Sequence, residues 1–373
     1  MRVLLITNYR KDNQKSMIRF GNLLSFGDYK NIKITEIFPL PRMVNLCFKS
    51  KFKKWAGYID KYIIFPKKIE GLLKKKSYDL IHIIDHSNSV YLKKISKLTK
   101  ATKVSTCHDL IAVRTAHDEF DMAPQTSHSG KQLQKWIEKS LNYSDFYVCD
   151  SFQTQSDLNN RITKSCGRSK VIHLGVEKFN STNIININPT EFCLKSNKYI
   201  LHVGSDAWYK NRKGVLKSFI FSNEKQKDVI NKLVFVGPSL KSHELDPEIE
   251  SWRKKNNDKI IVLSDLSEGQ LNSLYLSAKL LIFPSYIEGF GWPPMEAIAR
   301  GCPTIATKTG AIYEILKDNV IYTDPYNQNS LNNIVYKTLI KTPKKRIINS
   351  LPTKEDCVEK YEQLYRDIAN PHF

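Results

Sequence analysis

The chain has 373 residues, 41% hydrophobic and 25% charged. That make-up suits an ordinary globular protein long enough for two domains, and no apolar run approaches the roughly 18 residues that a membrane-spanning helix needs. The formal net charge is +21, far enough from zero to raise the question of an anionic partner.

In chain order, "MRVLLITNYRKDNQ" reads as a first buried strand. It is not expected to be a signal peptide, because its apolar stretch is short and no small-residue cleavage site follows. Residues 42–76 carry 11 basic and 2 acidic residues, with Phe48, Phe52, Trp55, Tyr58, Tyr62 and Phe65 between them. Such a mixture fits membrane headgroups, nucleic acid or a solvated lysine-rich helix face. Seven scattered cysteines form no CxxC pair, which fits a reducing cytoplasm and small buried thiols.

Short apolar runs at 2–7, 32–38, 80–84, 103–107, 146–150 and 170–174 recur between helical patterns. Six more lie at 199–204, 232–237, 259–264, 280–285, 303–308 and 320–323. Continuous apolar runs of this length are those of parallel strands buried on both faces, and the helices between them are βαβ crossovers. The expected fold class is α/β, with two doubly wound Rossmann-like domains facing a cleft. Their expected extents are 1–175 and 198–350, joined by a polar linker over 176–197. A C-terminal helix over 351–373 could cross back to the first domain.

In doubly wound sheets, ligands sit on the loops after the strands. After the strand "LLIFPS" comes "YIEGFGWPPMEAIARG". Gly289 and Gly291 allow close backbone approach, Pro293 and Pro294 suit a first helical turn, and Gly301 ends the helix after about two turns. The start of that helix favours an anion such as phosphate. Glu288 on the loop and Glu296 in the first turn can each accept hydrogen bonds from hydroxyls of one ligand. Taken singly, each is also an ordinary turn acid or helix-stabilising acid.

The stretch "EGFGWPPMEAIARGCPTIA" closely resembles the hallmark of the family 4 retaining glycosyltransferases, which have the GT-B fold. That resemblance implies that Glu288 contacts hydroxyls of a donor sugar and Glu296 grips the ribose of its nucleotide. It implies that backbone amides around Phe290, Gly291 and Trp292 approach the sugar and diphosphate. "YILHVGSDAWYKNRKG" is similar to the family's diphosphate loop, with Gly204 at the strand end followed by Lys210 and Asn211. The arginine common just before that lysine is absent, and Arg212 or Lys213 is a candidate substitute. "KVSTCHDLIAVR" resembles the family's HDL segment, whose histidine, here His108, faces the donor sugar. His82, Asp85, His86 and Arg114 are acceptor-side candidates. The first loop, "TNYRKDNQKSM", lacks the double glycine that many relatives carry.

The implied activity is that of a retaining hexosyltransferase with His108, Glu288 and Lys210 as its catalytic group. Its partners would be a UDP- or GDP-type nucleotide-sugar donor and a glycan or lipid-linked acceptor, in cell-surface polysaccharide, lipopolysaccharide or glycolipid synthesis. The chain contains no D-x-D, so no metal and no cofactor are expected, and Lys210 with the helix amides would take the metal's place. The expected location is the cytoplasm, with 42–76 able to dock on the inner face of an anionic membrane. Nucleic acid is not an expected partner. The alternatives are a nucleotide-sugar epimerase of the same fold, or a basic membrane- or nucleic-acid-binding protein without transferase activity. A dinucleotide oxidoreductase is disfavoured, because no G-x-G-x-x-G follows the first strand.

Overall fold

The computed structural model describes all residues except 48–49, 179–193, 227–228, 241–244, 342–345, 349 and 370–373, and the side chains of 50–51. The chain forms two units, Met1–Gly175 with Lys354–Phe373, and Val176–Thr353.

In the first unit six parallel strands form: β1 (Arg2–Ile6), β2 (Lys33–Ile37), β3 (Leu80–Ile83), β4 (Thr102–Cys107), β5 (Phe146–Cys149) and β6 (Ser169–Val171). Their order is β2-β1-β3-β4-β5-β6. Leu4 and Ile6 of β1 pack with Ile81, Ile83, Phe65 and Leu92 on one side of the sheet. A smaller cluster forms around Cys107, Tyr147 and Leu158.

The second unit repeats the plan with β7 (Tyr199–Val203), β8 (Lys232–Val236), β9 (Ile260–Leu263), β10 (Leu280–Phe283), β11 (Thr304–Ala306) and β12 (Ile321–Tyr322). The order is β12-β11-β10-β7-β8-β9, all parallel. Its core joins Ile200, Leu233 and Ile282 of the sheet to Val215, Phe219, Val335 and Leu339 of the helices. All twelve expected strands are present. The expected linker lies mostly outside the described residues, and its described ends fall in the second unit, where Leu194 is buried.

The helix Lys354–Ala369 returns to the first unit. Two fully buried tyrosines anchor it. Tyr361 OH lies 3.1 Å from Thr106 Oγ1, and Tyr365 OH lies 2.7 Å from His82 Nδ1. The Phe20 ring packs on Tyr361. On its exposed edge, Glu362 Oε1 accepts from the Lys30 amide at 3.1 Å. The helix therefore supplies core to a sheet whose last strand ends some 180 residues earlier.

Truncation Tyr361→Ala removes a buried ring and is expected to cost about 3–5 kcal/mol. Tyr361→Phe, which loses only the hydroxyl bond to Thr106, should cost about 1 kcal/mol. Denaturant midpoints check both. Equal midpoints for the wild type and the alanine variant would show that the helix is not part of that core.

Candidate functional site

In the second unit the strand order reverses between β7 and β10, since the chain runs outward from β7 through β8 and β9, and from β10 through β11 and β12. Such a reversal leaves a crevice at the carboxyl ends of the two strands, where doubly wound sheets bind ligands. The loops after β7 and β10 hold Lys210 and Glu288. Lys210 Nζ donates to both carboxylate oxygens of Glu288, at 2.7 and 2.9 Å. The pair is largely withdrawn from solvent, the lysine side chain 14% and the glutamate side chain 7% exposed. The ammonium also lies 5.1 Å above the Tyr209 and Phe283 rings, which stabilise a cation through their negative faces.

The local sequence dictates this geometry. Asn211 adopts the left-handed conformation (φ 49°) that ends the turn Trp208–Lys210. Its Oδ1 then accepts from the Gly214 amide at 3.1 Å and caps the helix Arg212–Lys225. Asparagine suits both tasks, tolerating positive φ and capping well. On the other loop, Gly291 has φ 87°, and a Cβ there would stand 2.5 Å from Ile312 Cγ1. Glu288 is held through its backbone as well: its amide donates to Thr309 Oγ1 at 3.2 Å. Gly310 comes so close that a Cβ would lie 2.4 Å from the Glu288 carbonyl oxygen. Beside Gly204, Gly237 makes an equally close approach.

Glu296 is buried and is the fifth residue of the helix Trp292–Ala299, one turn further in than expected because the helix starts at Trp292; Tyr275 OH donates to its Oε2 at 3.0 Å. Pro293 and Pro294 contribute no N–H, so an anion at this helix start meets fewer amides than the sequence pattern suggested. Phe290 is buried against Trp292, with ring centroids 5.3 Å apart. Arg212 is committed elsewhere: Nη2 donates to the Pro238 carbonyl at 2.6 Å and its guanidinium lies 4.7 Å over Phe235. It packs on the loop after β8. Lys213 pairs with Asp246 at 2.6 Å.

The first unit reverses its strand order between β1 and β3. There Asn8 Nδ2 donates to Asp85 Oδ2 at 2.5 Å, and Asn88 Nδ2 donates to Asn8 Oδ1 at 3.0 Å. Asp85 also caps the following turn through the Ser87 amide at 2.9 Å. Burial pushes its carboxyl up, but His86, His108 and these donors hold it below the usual range. His86 lies beside it, Nδ1 to Oδ1 3.3 Å.

Three sequence candidates have other surroundings than expected. His82 is fully buried between Tyr365 OH and Thr106 Oγ1, stacked on Tyr361, and burial lowers its pKa to about 3. It is a neutral core residue, enclosed by these partners. Arg114 donates to Glu119 and Asp157, both at 2.9 Å, in a surface ion network with Arg161 and Glu138. His108 is buried with Nδ1 2.5 Å from Asp150 Oδ2 and Nε2 2.8 Å from the Ile84 carbonyl oxygen. With Asp150 ionised both partners accept, and each ring nitrogen then donates. Burial opposes this, but the Asp150 carboxylate, its hydrogen bond and Asp85 raise the pKa to about 9. Here His108 ties the ends of β3, β4 and β5 together.

The basic segment forms the helices Arg42–Leu46, Ser50–Ile59 and Phe65–Lys75, with a wider π turn at Asp60–Ile64. Buried Asp60 accepts from the amides of Met43 and Val44 and from Tyr9 OH, which pins the segment to the first loop. Phe52, Trp55, Ile59 and Ile63 stand exposed at helical spacing, next to exposed Lys53 and Lys54. Phe48 and Lys49 lie outside the described residues. No described helix is long and apolar enough to cross a membrane.

Residues 188–350 match the family described as "Glycosyl transferases group 1". The O-antigen chain mannosyltransferase RfbU of Salmonella typhimurium is 31% identical over 147 residues, covering 39% of this chain and 40% of that protein. Uncharacterized glycosyltransferase MJ1607 of Methanocaldococcus jannaschii is 25% identical over 359 residues, covering 90% of this chain and 83% of that protein. Among solved structures, Anabaena Alr3699/HepE in complex with UDP and glucose superposes with a TM-score of 0.66 at 17% identity, over 99% of this chain and 100% of that one.

The histidine yields a pH prediction. His108 has a folded pKa near 9, above the unfolded value of about 6.5. Its contribution is therefore complete below pH ~6.5 and disappears as the pH rises through ~9. Melting midpoints of the wild type should fall across that window. Asp150→Asn should be less stable at pH ~6.5 and flatter across the window. A variant with the wild-type slope would show that the pair does not set the charge.

Proposed function

We propose that this chain, a glycosyltransferase of group 1 with the GT-B fold, moves a hexose from a nucleotide diphosphate sugar to a hydroxyl of a glycan or lipid-linked acceptor, with retention at the anomeric carbon. The observation that carries this reading is the Lys210–Glu288 pair at the reversal of the second sheet, with Glu296 one helical step away. The relatives' printed names favour mannose as the hexose and a cell-surface polysaccharide as the product. The UDP in the HepE structure favours a nucleoside diphosphate leaving group.

The chemistry follows from charge. An arriving diphosphate competes with Glu288 for the Lys210 ammonium. Glu288 then turns its oxygens to sugar hydroxyls, and Glu296 accepts from the ribose hydroxyls. As the bond from the anomeric carbon to the phosphate oxygen breaks, negative charge grows on the leaving group beside Lys210, where a positioned cation is most effective. The acceptor oxygen bonds to the anomeric carbon from the same face, and its proton passes to the departing phosphate oxygen. The residues position and stabilise, and no side chain takes the proton. In this reading Lys210 supplies the charge that a metal gives other transferases, so activity should survive a chelator.

The exposed Phe52–Ile63 stripe among lysines gives the acceptor a setting. Aromatic and aliphatic side chains inserted at headgroup depth, with lysines on anionic lipid, would hold the first unit on a membrane surface.

Three measurements test this. UDP or GDP at a hundred times its dissociation constant should stabilise the protein by about 2.7 kcal/mol, and Glu296→Ala should abolish the shift. No shift with UDP, GDP, ADP or their sugars would remove the donor reading. Lys210→Met should lower kcat by about 100- to 1,000-fold while folding remains intact, and a variant of normal activity would take the lysine out of the mechanism. Co-sedimentation with phosphatidylglycerol vesicles at low salt should be lost on Trp55→Ser, and no binding by the wild type would end the membrane reading.

A further inference from the structure

A second cavity of about 430 Å³ opens in the second unit, beyond the carboxyl ends of β10, β11 and β12. Its volume lies in the range of small-molecule sites, roughly 300–1,000 Å³. It shares no residue with the Lys210–Glu288–Glu296 group. Thr309, which lines it, also accepts the Glu288 amide, so the cavity sits behind the donor loop.

Its walls have two kinds of surface. Tyr286, Tyr322 and Tyr326 present aromatic rings. Tyr326 is 67% exposed and packs on Tyr286 at 5.1 Å, which in turn stacks on Trp208 at 6.3 Å. The other surface is polar. Asp324 Oδ1 accepts the Tyr326 amide at 2.9 Å, which fixes its carboxylate. Among the described residues, Tyr322 OH and Thr323 Oγ1 are both buried without a hydrogen-bonding partner, and Thr323 is only 8% exposed. A buried hydroxyl left unpaired costs about 1–3 kcal/mol, so two in one wall mark a place where outside donors or acceptors belong.

We infer that this cavity is a second carbohydrate subsite, which takes a neutral hexopyranose unit of a glycan and not the nucleotide-sugar. A pyranose has an apolar C–H face for a tyrosine ring and a rim of hydroxyls for the carboxylate and the unpaired hydroxyls. Other ligands fit less well. A nucleobase needs a parallel slot, but Tyr286 and Tyr326 pack on each other at 40°. A phosphate needs several donors, but Lys308 is the one cation among the described lining residues. Its ammonium lies over the Tyr313 and Tyr322 rings at 4.8 and 5.3 Å, and Asp324 repels an anion. Beside the donor loop, such a subsite would hold part of the chain being extended. The inference stands on the cavity alone and does not require the proposed donor site.

Saturation-transfer NMR on the full chain tests it, with the methyl α-pyranosides of mannose, glucose and galactose as probes and inorganic phosphate and uridine as controls. At least one methyl hexoside should receive transfer from the wild type and equally from Glu296→Ala. Tyr326→Ala and Asp324→Asn, both at exposed positions, should weaken binding by about tenfold while circular dichroism stays unchanged. Absence of transfer from all three hexosides would overturn the subsite. So would transfer that survives in both rim variants, or transfer lost in Glu296→Ala, which would place the sugar at the donor loop.

Discussion

A parallel strand buried on both faces is a costly place for a charge that must meet a ligand. Polar side chains within these strands, such as His82 and Thr106, are tied to one another, and the exchangeable positions are where the backbone leaves the sheet. In both units the reversal of strand order opens one gap at that edge, and the charged and amide side chains collect there: Lys210 and Glu288 in the second unit, Asn8 and Asp85 in the first. The glycines that allow this are not ornaments of the loop. Gly310 and Gly237 lie against the backbones of Glu288 and Gly204 so closely that any Cβ would displace them. The position of the chemistry is thus a consequence of topology, and its precision comes from backbone packing on the neighbouring loops.

Within that frame the Lys210–Glu288 pair solves a second problem. A carboxylate and an ammonium withdrawn from water are each costly alone, and together each offsets the other's desolvation. The pair keeps two charges in a sparsely solvated place at the strand ends, and the proposed donor would exchange with one of them. The first unit handles charge differently. His108 and Asp150 are locked between strand ends, with every ring nitrogen occupied. Both pairs join a base to an acid at strand ends, and the His108 ring has both nitrogens engaged by protein partners.

That difference explains what the sequence could and could not tell. Twelve apolar runs located twelve strands, because burial on both faces leaves an unmistakable pattern. The spacing of Glu288 and Glu296, with the intervening glycines and prolines, located the loop and its helix. Position along a strand or just after it did not tell what surrounds His82, His108 and Arg114, since hydrogen-bond partners distant in sequence decide that. His82 is claimed by Tyr365, from 283 residues away. Arg212 looked like a phosphate ligand by position, and a carbonyl after β8 holds it instead. The Tyr286–Tyr326 cavity draws on three separate strand-end loops, so no single stretch announced it.

The return of the last helix to the first unit has a consequence for synthesis. Until Tyr361 and Tyr365 leave the ribosome, His82 and Thr106 lack their partners and one side of the first sheet is uncovered. All 178 residues of Val176–Thr353 must be made in between. At roughly 5–20 residues per second, the wait is on the order of ten to forty seconds. The unit begun first therefore receives its last helix only after the second unit has been made, and a chain cut between Thr353 and Lys354 would keep every residue of the second unit and leave the first one open. Such a fragment would expose apolar sheet to chaperones and proteases, so the first unit's resistance to them depends on two tyrosines far along the chain.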